Sequence, residues 1–549
     1  MTEAVFDNPV VGPLLARIGP IQLNALADAF FHGGSAEKRI TSIEAALAAE
    51  GAKAWRADIG KWVTGIIPVE TLVIDKYEKW RPVVEDSFQF IFSHLSNRRL
   101  AIKIFEQIEL PPETPPEMRL LKLISRMPGL QKLGQVLARN RRLSPALRQA
   151  LSELENGMSD ATPAEIRAIV TEQLGPAMER YAVELDAAIF KEGSASAILR
   201  FTWRKPGGDR ERGVFKVLKP YVPACFEEDM TLLQELGEFL ASKERRYEFE
   251  VSDVKAMLVE VRLLLEHELD FEREQKTLTE AQRIYRSSFG IRVPCLIAPL
   301  STAHITAMSE ESNVKVTDAF ARSPIRRSRI PDQLIEALIA VPLFCREDVA
   351  VFHADPHAGN LMYDETNREL IVMDWALADH LSLESRRQLI LLVVMMVLRN
   401  AAGVRDAIHA LASRGRQRDR DRLIDIHVDR FFREPPKGWS PGTLDAMRLL
   451  DEIALAGVHF PTSLFFFRKS VFTLDGVLQD VAGADIRIDY VIVREFLTRC
   501  LGSFGMFHAP LQLKDFAAVE WQALLLPARS WGWTVGQTSA GSDPVRERL

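Results

Sequence analysis

Phe352-His353-Ala354-Asp355-Pro356-His357-Ala358-Gly359-Asn360, with Asp374-Trp375-Ala376 beginning fourteen residues after Asn360, is the stretch on which the reading of this chain turns. It sets an Asp and an Asn five residues apart and brings in a second Asp behind a short hairpin. Leu361-Met362-Tyr363 and Ile371-Val372-Met373 read as paired buried strands, and Asp364-Glu-Thr-Asn367 as the turn between them. Phosphoryl transfer from a nucleotide needs this set of groups. One carboxylate orients or deprotonates the acceptor, while an amide oxygen and a second carboxylate hold the cation on the phosphates. Two other readings exist. His353, Asp355 and His357 alternate as transition-metal ligands could, or the loop only satisfies buried backbone. The metal reading leaves Asn360 and Asp374 without a role.

The strand-loop-strand layout is similar to the catalytic and metal-binding loops of protein kinases, and the other expected parts lie upstream. Val214-Phe215-Lys216-Val217-Leu218 buries one Lys in an apolar run, which is costly unless its charge is paired. Val254, Leu258, Val261 and Leu265 recur at helical spacing within a helix expected over Ser252–Tyr285, N-capped by Ser252. That helix carries Glu266-His267-Glu268-Leu269-Asp270-Phe271-Glu272-Arg273-Glu274. At roughly 100° per residue, Asp270 and Glu274 share a face and Glu268 is turned well away from Glu274. One acid can then meet Lys216 and another a second cation; a merely solvated acidic face is the bland reading.

Gln131-Lys132-Leu133-Gly134-Gln135 supplies that cation, and here the chain resembles the UbiB-like atypical kinase family, associated with ubiquinone and other isoprenoid lipids. Lys132-x-Gly134-Gln135, Glu268-x-Asp270 with Glu274 in the lysine-pairing position, the His353–Asn360 loop and the Gly457–Leu478 stretch match in order, over roughly residues 120–485. The resemblance implies an α+β, bilobal protein-kinase-like fold with a small β-rich lobe, a large helical lobe and an added N-terminal helical segment. It implies ATP (or ADP) and Mg²⁺ as cofactors. Asp355, Lys216 and Glu274 are then the catalytic set, Asn360 and Asp374 the metal ligands. Gly193, Ser194, Ala195, Ser196, Lys216 and Met308 are the nucleotide contacts, and Lys132, Gln135, Glu268 and Asp270 a gating set over the substrate side.

Departures accompany the match. The family's Ala-rich phosphate loop is Gly193-Ser-Ala-Ser196 here, still small enough for close backbone approach. Leu199 and Phe201 stand at the family's polar Gln and His positions, and an Asn expected near Gln275–Leu278 is absent. Trp375-Ala376 replaces Phe-Gly, and Ala lacks glycine's access to positive φ, so a different loop mobility is expected there.

The chain has 549 residues, 47% hydrophobic and 26% charged, which suits two or three globular domains. A net charge of −6 gives no case for nucleic-acid binding. Cys225, Cys295, Cys345 and Cys500 lack close spacing, so neither a zinc site nor a disulfide framework is indicated. Glu3 and Asp7 oppose a signal or transit peptide, and the longest apolar run, Leu389–Leu398, is too short to span a bilayer. A cytoplasmic protein with no transmembrane helix is expected. Leu464-Phe465-Phe466-Phe467 with Arg468-Lys469, and Trp521, Trp531 and Trp533, suit the core of a helical bundle or peripheral membrane contact, the core being favoured. Arg414–Arg422, with its interleaved acids, reads as a solvated segment.

The expected organisation is a helical region over 1–108, the Lys-x-Gly-Gln segment over 118–180, the small lobe over 185–312, the large lobe over 313–485 and an extension over 486–549. Pro-rich Leu110–Pro116 marks a linker, and Ser144-Pro145 with Leu147, Leu151 and Leu154 a helix start. The function expected is a UbiB-like kinase or ATPase, with nucleotide and lipids or lipid-biosynthesis proteins as partners. A small-molecule phosphotransferase and a nucleotide-binding scaffold without turnover are the alternatives.

Overall fold

The structure, a computed structural model, describes residues 35–49, 52–73, 75–138, 161–205, 207–247, 252–311, 313–321, 326–413, 417–433, 441–482, 488–502, 510–512 and 515. The helix start expected at Ser144-Pro145 lies outside them. Two compact units divide the chain: residues 1–271 with 297–307, and residues 272–296 with 308–549.

In the first unit, helices α1 (Ala36–Ala48), α2 (Ala52–Ile66), α3 (Arg81–His94), α4 (Asn97–Glu109), α5 (Pro116–Ile124) and α6 (Pro128–Ala138) come first. Ile43, Trp62, Phe92, Ile104 and Leu123 from these helices are buried in one cluster with Leu236 of α8 (Val222–Ser242) and Leu265 of α9 (Ser252–Leu269). The N-terminal end of α6 is fixed chemically. Its Gly129 N–H donates to the buried Asp229 carboxylate of α8 (2.7 Å), which Arg99 also binds (2.6 Å). A carboxylate there satisfies an amide that no helix turn can reach. A Cβ at Gly129 would stand 3.1 Å from Asp229 Cβ, so glycine permits this approach.

Helix α7 (Pro163–Arg180) opens on a reciprocal cap: Glu165 N–H donates to Thr162 Oγ1 (3.2 Å) and Thr162 N–H to Glu165 Oε2 (2.7 Å). Its Ile166, Val170 and Leu174 pack under an antiparallel sheet of β1 (Glu184–Glu192), β2 (Ser196–Arg204), β3 (Arg210–Leu218) and β5 (Ile305–Ser309), ordered β1-β2-β3-β5. The β2–β3 hairpin has Gly207 at φ +71° in its turn. Along β2, Ala197, Leu199, Phe201 and Trp203 alternate inward, and Phe201 stacks on Phe215 with ring centroids 3.9 Å apart. The two positions where the family is polar are therefore sheet core.

The single helix expected over Ser252–Tyr285 is two: α9 ends at Leu269 and α10 (Phe271–Tyr285) restarts after Asp270. Asp favours the residue before a helix, and Glu272 and Glu274 fill the new first turn, where negative charge is stabilised. The rotation expected between Glu268 and Glu274 on one helix does not apply.

In the second unit, β7 (Val349–His353) pairs antiparallel with β10 (Ala378–Ser382). A second sheet runs β4 (Ile291–Arg292), β9 (Glu369–Val372), β8 (Leu361–Asp364), β6 (Val314–Lys315). β4 stops short of Pro294, which has no N–H for a ladder. Asp364 closes the β8–β9 turn, accepting from Thr366 N–H (2.9 Å), Asn367 N–H (3.0 Å) and the Asn367 amide (2.8 Å). These bonds, led by the Asn367 N–H, hold its carboxyl below the usual range. The apolar run at 389–398 lies in the buried helix α11 (Leu383–Val397) and its cap. In α12 (Thr462–Ala482), Leu464, Phe466 and Phe467 are buried, and Phe465 lies under the Arg468 guanidinium, 4.8 Å from its ring centroid. This aromatic run is core; Trp521, Trp531 and Trp533 lie outside the described residues. Among the described residues, no helix is long and apolar enough to cross a membrane.

Candidate functional site

His353, at the end of β7, organises the loop that carries Asp355. Its ring is fully buried, and Nδ1 accepts from the Asp355 N–H at 3.2 Å. The proton therefore sits on Nε2, which donates to the Met373 carbonyl at 2.9 Å. Burial pushes the His353 pKa below its ordinary value, so the ring is neutral. Trp375 packs edge-on against it, centroids 5.3 Å apart, and Ser470 of α12 donates to the His353 carbonyl at 2.7 Å. With both ring nitrogens engaged, His353 is no transition-metal ligand.

His357 shapes the next turn. Its Nδ1 accepts from the Gly359 N–H (3.0 Å), and a Cβ on residue 359 would stand 2.7 Å from His357 Cε1. Gly359→Ala must displace that ring. We expect a loss of about 1–3 kcal/mol, read from the denaturation midpoint; a change within 0.3 kcal/mol (about the scatter of independent sites) would show that the ring turns away freely.

The hairpin then aligns the two expected cation ligands. Leu361 pairs with Val372, and the Met373 N–H donates to the Asn360 carbonyl at 2.8 Å, so Asn360 and Asp374 sit at one end of it. Asn360 Nδ2 donates to the Asp355 carbonyl (3.2 Å), which commits the amide nitrogen and leaves Oδ1 as the group for a cation. Asp374 is exposed and left-handed, φ +54°. The positive φ falls on Asp374, and Ala376 is simply buried. Trp375 is core, its Nε1 donating to Val372 O (3.1 Å) and its carbonyl accepting from Thr277 (2.9 Å). Glu274 is buried in the first turn of α10, and Met308 near the end of β5.

The first unit carries the remaining expected groups. Phe215 and Val217 face the sheet core, so Lys216 projects from the opposite face, 5% exposed, with Nζ 5.6 Å from the Phe271 ring centroid. The Gly193–Ser196 turn is closed by Gly193 N–H donating to Ser196 O at 2.7 Å. Lys132 and Glu268 meet, Nζ to Oε2 at 3.1 Å, while Ser194 Oγ donates to Glu268 Oε1 at 3.4 Å. The expected gating pair thus touches the expected phosphate turn. Asp270 is exposed in the break between α9 and α10, and of Gln135 only its place in α6 is described.

Two contacts to this turn were not foreseen. The Gln131 amide, oriented to satisfy both its ends, donates to Ser194 O at 3.2 Å. Lys219 and Glu192 form a buried ion pair of 3.0 Å beside the same turn. Gln131 carried a signal, since it directly precedes Lys132 on α6.

Residues 153–408 match the sequence profile of the ABC1 atypical kinase-like domain. The chain is 24% identical over 361 residues to the chloroplastic protein Activity of BC1 Complex Kinase 7 of Arabidopsis thaliana, covering 64% of this chain and 50% of that one. It is 25% identical over 269 residues to the probable protein kinase UbiB of Xylella fastidiosa, covering 46% of each. The chain spans about half the length of these curated relatives. A solved Mycobacterium tuberculosis chain, from the complex of Rv3197 with erythromycin, overlays with a TM-score of 0.41 at 16% identity, over 65% of this chain and 89% of that one.

Proposed function

Because residues 153–408 are an ABC1 atypical kinase-like domain, we propose that the protein binds ATP or ADP with Mg²⁺ and hydrolyses the nucleotide or transfers its phosphate. The observation that carries this is the hairpin end at which Asn360 and the exposed Asp374 come together. An amide oxygen and a carboxylate are the hard oxygen donors that Mg²⁺ takes alongside phosphates. Bound there, Mg²⁺ would neutralise charge on the transferring phosphate. Asp355 would take the proton of the attacking hydroxyl or water, and Lys216 would contact the phosphates. Isoprenoid-quinone or other lipid metabolism is the proposed setting, supported by relatives named UbiB. The acceptor is then a lipid or a protein of lipid biosynthesis, met by peripheral membrane contact.

The contact of Glu268, itself paired with Lys132, with Ser194 favours a second reading, a nucleotide-binding scaffold with little turnover. Binding without hydrolysis or transfer would single it out.

Thermal melting with and without Mg·ATP and Mg·ADP tests the proposal. At a hundredfold excess over Kd a ligand adds about 2.7 kcal/mol to the native state, a rise of several degrees. We expect that rise in wild type and its loss in Asp374→Asn. No rise with either nucleotide in wild type would overturn the reading; an undiminished rise in the variant would remove Asp374 from the cation site.

A further inference from the structure

We propose that the buried Lys219–Glu192 ion pair is a clamp that presets the backbone of the Gly193–Ser196 turn for phosphate, both members being positioning residues; the inference rests on the nucleotide binding proposed above. Lys219 is 0% exposed and Glu192 9%. They flank the turn from two strands. Glu192 ends β1 opposite Ala197, and Lys219 follows Leu218, which lies opposite Ser196. Lys219 grips the turn twice, its N–H donating to Ala195 O at 3.0 Å and its Nζ pairing with Glu192 Oε2 at 3.0 Å. The same Oε2 accepts from the Ala161 N–H at 3.4 Å, next to the Thr162 cap of α7.

A buried ion pair is a poor way to gain stability, since apolar residues of equal volume often do as well or better. What the pair adds is direction. The carbonyls of residues 194, 195 and 196 are all taken by protein donors: Tyr221 hydroxyl (3.4 Å) and Gln131 amide on Ser194, Lys219 on Ala195, Gly193 on Ser196. A trans peptide holds its N–H antiparallel to its C=O. The N–H groups of Ala195 and Ser196 therefore point away from Tyr221, Gln131 and Lys219. Successive N–H groups fixed in a turn are what a phosphate oxygen binds. Glu192 and Lys219 thus act on the nucleotide through the main chain.

The double variant Glu192→Leu/Lys219→Met, in the full chain, removes the charges and keeps the volume. Mg·ATP and adenosine affinities are measured by calorimetry and competition, with the denaturation midpoint alongside. We expect Mg·ATP affinity to fall tenfold or more and adenosine affinity to stay within twofold, because adenosine has no phosphate for the turn to hold. Wild-type Mg·ATP affinity in the variant, or equal weakening of both ligands, would overturn the clamp. Should the double variant not fold, the isosteric Glu192→Gln carries the test: a threefold or greater loss confined to Mg·ATP supports the clamp, and unchanged affinity overturns it. A wild-type protein that binds neither ligand defeats the nucleotide reading and the clamp with it, an outcome distinct from variants that bind as wild type does.

Discussion

Replacing His353 by Ala is expected to cost about 3–5 kcal/mol of stability. The imidazole is fully buried, accepts from the Asp355 N–H and donates to the Met373 carbonyl. Truncation leaves both backbone groups without their partner and opens a cavity beside Trp375. The loss should also depend on pH. Burial depresses the folded-state pKa of His353 below the unfolded value of about 6.5. Above that pH both states are neutral and the contribution is complete. As pH falls through it, the unfolded chain takes up a proton that the folded one refuses, and stability is lost until the folded pKa is reached. Each unit of depression corresponds to about 1.4 kcal/mol. Denaturant midpoints at pH 7.5 and 5.5 (about one unit either side of the free value) should fall more steeply with acid in wild type than in His353→Ala. Parallel slopes would show that the ring titrates normally.

Asp355→Asn should lower turnover by about 10²–10⁴ while nucleotide affinity changes little. The structure gives the reason for expecting this separation. Asp355 is held through its main chain, its N–H on His353 and its carbonyl receiving the Asn360 amide. Asn at 355 keeps both bonds and the side-chain volume, and replaces the proton-accepting carboxylate by a neutral amide. Single-turnover rates with Mg·ATP, read beside the dissociation constant, make the comparison. If affinity collapses with rate, Asp355 belongs to binding; if the rate survives, another group takes the proton.

The loop around Asp355 was legible because its information is local. The Asp–Asn spacing, the apolar strands and the turn at Asp364 all lie within a span that one hairpin organises. The buried Lys216 was legible for a similar reason, since alternation along β3 sets its face opposite Phe215 and Val217. The pairing of Lys132 with Glu268 came through the family resemblance, as no spacing joins residues so far apart. What stayed hidden depends on packing at long range. No local spacing links Lys219 to Glu192, and only assembly of β1, β2 and β3 brings the two together. The break at Asp270 was masked because apolar Leu264, Leu265, Phe271 and Leu278 carry helical spacing across it almost unchanged. The left-handed turn at Asp374 stayed hidden because the sequence names a triplet and not which of its residues takes positive φ.

That last point bears on how such a protein could change over generations. With φ of +54° at Asp374, the backbone admits few side chains there without strain, Gly, Asn and Asp foremost. Position 376 is released from any need for glycine, whereas 374 is constrained by its backbone and, under the proposed cation role, by its charge as well. Asn satisfies the first constraint and fails the second, and the Asp and Asn codons differ by a single base. A lineage that no longer needed the cation would have a short route, one substitution long, that keeps the fold and discards the chemistry. Inactive descendants should then carry Asn at this position more often than any bulkier residue, and they should melt where their active ancestors do.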